Sequence, residues 1–166
     1  MIRSFNGITP KIPESAFVSE AAYVVGDVEL GEGASVWPMA VIRGDDSNIK
    51  IGANTVIQDN CVIHGAVTIG DNVNVGHGVV IHSRKIGNNC LIGNNATVLE
   101  DVEIGNFCVI AGGCVVVPRM KIPDNSFVVG VPAEIVGEVP EARRAYLENG
   151  RGNYVELGKE YKEQGL

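Results

Sequence analysis

The chain has 166 residues, 13 Lys or Arg against 20 Asp or Glu, and a formal net charge of −7. That length supports one globular core, and an acidic balance without a Lys/Arg run excludes nucleic acid and anionic membrane surfaces as expected partners. Hydrophobic residues reach 45% while aromatic ones are only 5%, so Val, Ile, Ala and Cys must fill the interior, as suits narrow, regular strands.

Met1 to Pro10 lacks a basic start followed by an apolar stretch, and no segment approaches the ~20 apolar residues that span a bilayer, so a soluble cytoplasmic protein is expected. From Val18 an aliphatic residue recurs every six positions: Val18, Val24, Leu30, Val36, Ile42. After a nine-residue step the series resumes as Ile51, Ile57, Ile63, Ile69, Val75, Ile81, and after a five-residue step as Ile86, Ile92, Val98, Ile104, Ile110, Val116, Ile122, Val128. Two residues before each anchor sits a second, mostly small set, in which Arg84 alone is unsuited to an interior. A spacing of two places both sets on one face of a short strand, and Gly, Asn and Asp crowd the turns between them.

Six residues are too few for a hairpin of ordinary strands, but three such rungs close a triangular coil around a dry core. The expected fold is therefore an all-β solenoid, a parallel β-helix of about six triangular coils, roughly 29 Å long at the usual strand spacing. The hexapeptide pattern resembles the left-handed β-helix superfamily, and the hand is taken from that resemblance. Val129 to Gly137 leaves the coil. Residues 140–166, rich in Glu, Lys, Arg, Ala and Tyr, read as helix, with a break at Gly150-Arg151-Gly152 and Asn153 capping a second helix through Lys162. We expect a β-helix domain over residues 1–137 and a helical segment over 138–166 packed along the prism.

Residues eighteen apart stack in such a coil. His64 and His82 both follow an anchor and differ by eighteen, so adjacent rungs hold two imidazoles pointing the same way. If the extra residues after Ile42 bulge at a corner, Arg43 joins that column one coil below His64. A second column, at a corner of the neighbouring face, holds Asp59 and His77, with Gln58 beside Asp59. Three imidazoles suffice for a catalytic divalent ion, with one position left for water. Within one chain the geometry is awkward, because His77 emanates from a different corner. A homotrimer removes the difficulty by setting one subunit's first column against its neighbour's second, so that His64 and His82 meet the next His77 and Arg43 faces the next Asp59. The bland alternatives are a solvated histidine ladder and an ordinary surface pair of Arg43 with Asp59. Cys61, Cys90, Cys108 and Cys114 fall at inward positions and read as reduced core thiols rather than ligands or disulfides, although Cys90 and Cys108 are eighteen apart.

The motifs Arg43-Gly44-Asp45-Asp46, Gln58-Asp59, Asn60-Cys61-Val62-Ile63-His64 and Gly76-His77-Gly78-Val79-Val80-Ile81-His82 resemble those of the γ-class carbonic anhydrases, a trimeric left-handed β-helix family. The resemblance runs from about Val18 through the helical tail. It implies a lyase that hydrates carbon dioxide reversibly to bicarbonate through a metal-bound hydroxide at a trimer interface, with His64, His77 and His82 as metal ligands. It further implies an interfacial ion network at Arg43, Asp45 and Asp59, orientation of the nucleophile by Gln58, and approach of Tyr154 to the site. The chain lacks the acidic loop that carries a proton-shuttle glutamate in some members, since only Gly65 to Gly76 separate the first two histidines; Asp46 is then the candidate shuttle. Zn2+ is the expected ion, with Fe2+ or Co2+ accepted by the same donors. The alternatives are a hexapeptide acyltransferase with a histidine base between subunits, and a metal-binding or assembly subunit with little turnover.

Overall fold

In the computed structural model, which describes residues 1–149 and 154–166, short parallel strands pair one coil apart and wind the chain into a three-sided prism. The first face stacks Ile2, Val24, Ile42, Ile63, Ile81, Val98 and Val116 in register. The second stacks Leu30, Ile51, Ile69, Ile86, Ile104 and Ile122. The third stacks Val18, Val36, Ile57, Val75, Ile92, Ile110 and Val128. These are the hexapeptide anchors, and every one from Val24 to Val128 is buried. The parallel solenoid is consistent with a left-handed β-helix and makes about seven turns. The turn beyond the expected six comes from the N-terminus, where Ile2 pairs beside Val24 and Ile12 packs partly buried against the core.

The irregular steps in the sequence are absorbed at one edge. After Ile42 the strand Val41–Ile51 runs on through the added residues, while Arg43 keeps its register with His64. The five-residue step after Ile81 has the opposite effect: Arg84 is turned out to solvent and Ser83, 2% exposed, takes the interior place with its hydroxyl unpartnered. Two other edges are held by repeated asparagine and glycine geometry. Asn54, Asn72 and Asn89 at one edge, and Asn60 and Asn95 at another, adopt positive φ, a conformation asparagine tolerates better than most residues. Side-chain oxygens of Asp71, Asn88, Asn106 and Asp124 accept from the backbone N–H of Ala53, Asp71, Asn88 and Asn106 respectively, one coil below, at 2.7–2.9 Å.

The inward thiols satisfy buried turn carbonyls. Cys61 donates to the Gly76 carbonyl at 3.0 Å, Cys90 to Gly105 at 3.1 Å and Cys108 to Pro123 at 3.1 Å, the same fifteen-residue reach with which Thr55 donates to Gly70. All four cysteines are free. Burial pushes the Cys61 thiol up to about 11, and the neighbouring Cys108 thiol, with burial, pushes Cys90 upward as well. They are inert weak donors in a core.

Past the last coil, Glu134–Glu138 folds back antiparallel on Ser126–Val129. Helices α1 (Glu141–Asn149) and α2 (Tyr154–Glu163) cover parts of the third face. The expected helix break at Gly150-Arg151-Gly152 and the Asn153 cap lie outside the described residues. Helix α2 seats Tyr154, Leu157 and Tyr161 against Phe17, Trp37 and Val56. Tyr154 and Tyr161 meet the Trp37 ring edge-on at 5.2 and 5.1 Å, contacts worth about 0.5–1.5 kcal/mol each beyond burial. Helix α1 packs Leu147 near Val109 and Val139, with Arg144 4.5 Å above the Phe107 ring. No helix of the described residues is long and apolar enough to cross a membrane.

Candidate metal centre

The first face carries the paired imidazoles. Registry of Arg43 with His64 and of Ile63 with Ile81 makes Arg43, His64 and His82 one column. The two rings lie 5.4 Å apart with 3° between their planes. Such parallel stacking follows from the coil spacing and from a shared rotamer, and it places both rings on one side of the prism.

The second column forms at the edge between the third and first faces. Gly78 N–H donates to the Asp59 carbonyl and Asn95 N–H to the His77 carbonyl, so Asp59 and His77 occupy matching turns. The turn at His77 is fixed twice: Asn94 Oδ1 accepts its backbone N–H at 3.1 Å, and Cys61 holds the preceding Gly76 carbonyl. The His77 Nδ1 lies 2.9 Å from Asp59 Oδ2. Beside it, Gln58 is 6% exposed and donates from Nε2 to Asn74 Oδ1 at 2.7 Å, which fixes its amide plane. The Tyr154 phenol is pushed above its ordinary range, first by burial and then by the Asp59 charge, so it remains protonated near neutral pH.

The nine-residue step brings acidic groups to His64. Its Nε2 stands 3.4 Å from Asp45 Oδ1 and 3.4 Å from Asp46 Oδ1. These are charge contacts without hydrogen-bond alignment, for both His64 Nε2 and Asp45 Oδ1 are buried atoms lacking a partner. Asp45 also receives Arg43 Nη1 at 3.2 Å. The Asp46 carboxyl is held below the usual carboxylate range, first by the Ser47 hydroxyl, with the His64 and Arg43 charges adding to it. Among the described residues, Asp45, Asp46 and His64 form the one group of three potential ligands with donor atoms within 4.8 Å of each other. The three histidines do not gather inside one chain: two share a face and the third stands at the edge. Arg43 likewise meets Asp45 within the chain, while Asp59 meets His77.

Two residues absent from the sequence-based set shape this site. Glu100 Oε1 lies 3.2 Å from His82 Nδ1; because this coil is one residue short, with Ile81 opposite Val98, Glu100 sits one position past the His82 column, in the following turn. Asn74, the support of Gln58, sits at an outward strand position normally given to solvent; nothing local marks it, because its burial depends on the third face being covered.

The geometry fits a divalent ion. A buried imidazole nitrogen with no partner is an open ligand atom, and the carboxylates of Asp59 and Glu100 lie beside Nδ1 of His77 and His82, on the opposite ring nitrogen from Nε2. Imidazole donors suit Zn2+, Fe2+ and Co2+.

A family model described as bacterial transferase hexapeptide (six repeats) matches residues 48–83 and 85–118. The chain is 40% identical over 166 residues to a carbonic anhydrase of Geobacillus kaustophilus, covering 98% of this chain and 91% of that protein. It is also 34% identical over 161 residues to the mitochondrial gamma carbonic anhydrase 2 of Arabidopsis thaliana. The chain belongs to the γ-class carbonic anhydrase family. It spans 58% of the Arabidopsis relative's length. Among solved structures, a Bacillus cereus protein named as an acetyltransferase superposes with a TM-score of 0.94 at 36% identity, covering 98% of this γ-class chain and 97% of its own.

Proposed function

We propose that this chain is a metal-dependent carbonic anhydrase that converts carbon dioxide and water to bicarbonate and a proton at the subunit interfaces of a homotrimer. His64 and His82 of one subunit, with His77 of the next, would hold the ion, for which Zn2+ is the best match and Fe2+ or Co2+ suitable replacements. The ion, when bound, supplies activation of water as a nucleophile near neutral pH.

The observation that carries this reading is the pair of stacked imidazoles on an open face, one with a buried unpartnered Nε2, while the third histidine stands at the adjacent edge. Val62 and Val80 beside the pair are each 39% exposed, an apolar stripe suited to a neighbouring copy and to sheltering an apolar substrate such as carbon dioxide. Gln58, locked through Asn74, would use its Oε1 to accept a hydrogen bond from the attacking water and so align the water's lone pair. Tyr154, held protonated, acts as a donor toward the product oxygens. Asp46, exposed and 3.4 Å from His64 Nε2, would be the carboxylate that passes the proton outward, and its position rather than its basicity supports that role. Arg43 would face the neighbour's Asp59 and, with Asp45, set the registry of the two subunits.

Anaerobic purification with metal quantification and stopped-flow carbon dioxide hydration tests the reading. Bound divalent metal and hydration activity are expected, and both should disappear in His64→Ala and in His77→Ala. A folded trimer that takes up no metal, or variants that keep metal and activity, would overturn it. The acetyltransferase name of the Bacillus cereus structure supports a second reading, in which a histidine acts as general base for acyl transfer. Retained coenzyme A binding with no response to chelation would favour that alternative.

A further inference from the structure

We propose that Glu100 and Gly65 together set the pose of His82: Glu100 fixes the ring's tautomer, and Gly65, lacking a side chain, leaves room for the Cδ2–Nε2 edge of the ring. The proposal deepens the reading of His82 as a metal ligand and rests on it for its effect on metal affinity.

Two independent contacts converge on the ring. On one side Glu100 Oε1 lies 3.2 Å from Nδ1, within reach of a hydrogen on that nitrogen. The Glu100 side chain is 55% exposed, so it contributes little to the core. A carboxylate at Nδ1 favours the neutral tautomer with hydrogen on Nδ1 and a lone pair on Nε2, and it raises the basicity of that lone pair.

On the other side, a Cβ built on Gly65 would lie 2.6 Å from His82 Cδ2 and 2.7 Å from Nε2. The Gly65 backbone also has φ +86°, in the left-handed region that favours glycine. Gly65 directly follows His64, so the missing side chain lets the His82 ring lie over the coil below, parallel to its partner. Any larger residue at position 65 would have to push this ring away from the stack. His82 thereby has a carboxylate at Nδ1 and a side-chain-free seat beneath its Cδ2–Nε2 edge.

His77 has the analogous arrangement with Asp59 at 2.9 Å. His64 differs, because its nearest carboxylates approach Nε2 rather than Nδ1. The three histidines are therefore prepared by different means, and Glu100 is a positioning residue specific to His82.

The test uses the full-length protein with 15N-labelled histidine and measures the His82 tautomer before metal is added, then Zn2+ and Co2+ dissociation constants by chelator competition. In the metal-free protein His82 is expected as the Nδ1–H tautomer. Glu100→Ala should convert it to a mixture and weaken metal binding about 10- to 100-fold, the range for loss of such a partner. Glu100→Gln retains an acceptor oxygen and should restore most of both properties. Gly65→Ala should displace the ring and weaken binding at least as much; because this change also strains the backbone, the exposed Glu100 pair of variants carries the decision. A wild-type Nε2–H tautomer, or a Glu100→Ala protein with unchanged tautomer and affinity, would overturn the proposal. If His82→Ala binds metal as the wild type does, the ligand reading fails, and the tautomer measurement separately decides the role of Glu100.

Discussion

Removing the carbonyl oxygen that anchors Gln58 should expose how tightly the site depends on a buried amide pair. Gln58 is 6% exposed and Asn74 9% exposed, and their contact is 2.7 Å. In Asn74→Ala the Gln58 Nε2 loses its acceptor in a place water reaches poorly. A neutral hydrogen bond contributes about 1 kcal/mol net, and a stranded buried donor adds roughly 1–3 kcal/mol of desolvation cost, so a loss on the order of 2–3 kcal/mol is expected. Gln58→Ala strands Asn74 Oδ1 and should cost a similar amount. The double variant removes both polar groups, so its loss should fall short of the sum by about 1–2 kcal/mol. Denaturant unfolding at matched protomer concentration measures this, since an oligomer's stability depends on concentration. Full additivity would refute the idea that the two amides form one buried unit. Hydration activity should drop in Asn74→Ala with metal content unchanged, because the perturbation reaches Gln58 and not the histidines.

The core thiols provide a second check. Cys61, Cys90, Cys108 and Cys114 are each at most 1% exposed, and an aromatic disulfide reagent at pH 8 should label none of them until the protein unfolds; rapid native labelling of any would contradict their burial. Gly70→Ala would place a Cβ 2.2 Å from Asn88 Oδ1, the atom that accepts from Asp71 N–H at 2.8 Å. Loss of that bond and the forced shift should cost about 1–3 kcal/mol in unfolding experiments, and an unchanged midpoint would show that the ladder yields freely. The Asp124 carboxyl is held below its usual range, first by the Asn106 backbone N–H and then by the Asn106 side-chain amide. A depressed folded value means that this contribution is present above the unfolded carboxylate value, about 3.9, and is lost as pH falls through the lower folded one. Asp124→Asn, which continues the amide ladder, should flatten that part of the acid limb; an identical acid limb in both proteins would argue against the linkage.

Much of the architecture could be read from spacing alone. A six-residue period with aliphatic anchors leaves few other ways to bury every sixth residue; the eighteen-residue return aligned His64 with His82, and a bulge of the three added residues after Ile42 brought Arg43 into the same column, which the strand registry reproduces. The period fails where the chain compensates locally. Arg84 falls at an inward position by counting, but a coil shortened by one residue turns it outward and substitutes Ser83. Ile12, six residues before Val18, continues the series toward the N-terminus, whereas Ile2 pairs with Val24 out of period, because the bridge between Phe5 and Ile8 interrupts the regular spacing there. Asn74 was illegible for a different reason: its burial reflects tertiary cover on the third face, which no local pattern encodes. Glu100 was out of reach of the eighteen-residue arithmetic, because the shortened coil sets Ile81 opposite Val98 and leaves Glu100 one position past the His82 column.

The central claim is that each metal centre draws ligands from two subunits. Mixing a His64→Ala/His82→Ala chain with a His77→Ala chain, unfolding both and reassembling them together, tests it most directly. Neither variant alone should retain metal, whereas random mixed trimers would rebuild about a quarter of the interfaces with all three imidazoles, and metal content should recover to about that fraction. Mixed assemblies that remain free of metal, while wild-type chains treated identically recover theirs, would contradict a site shared between subunits.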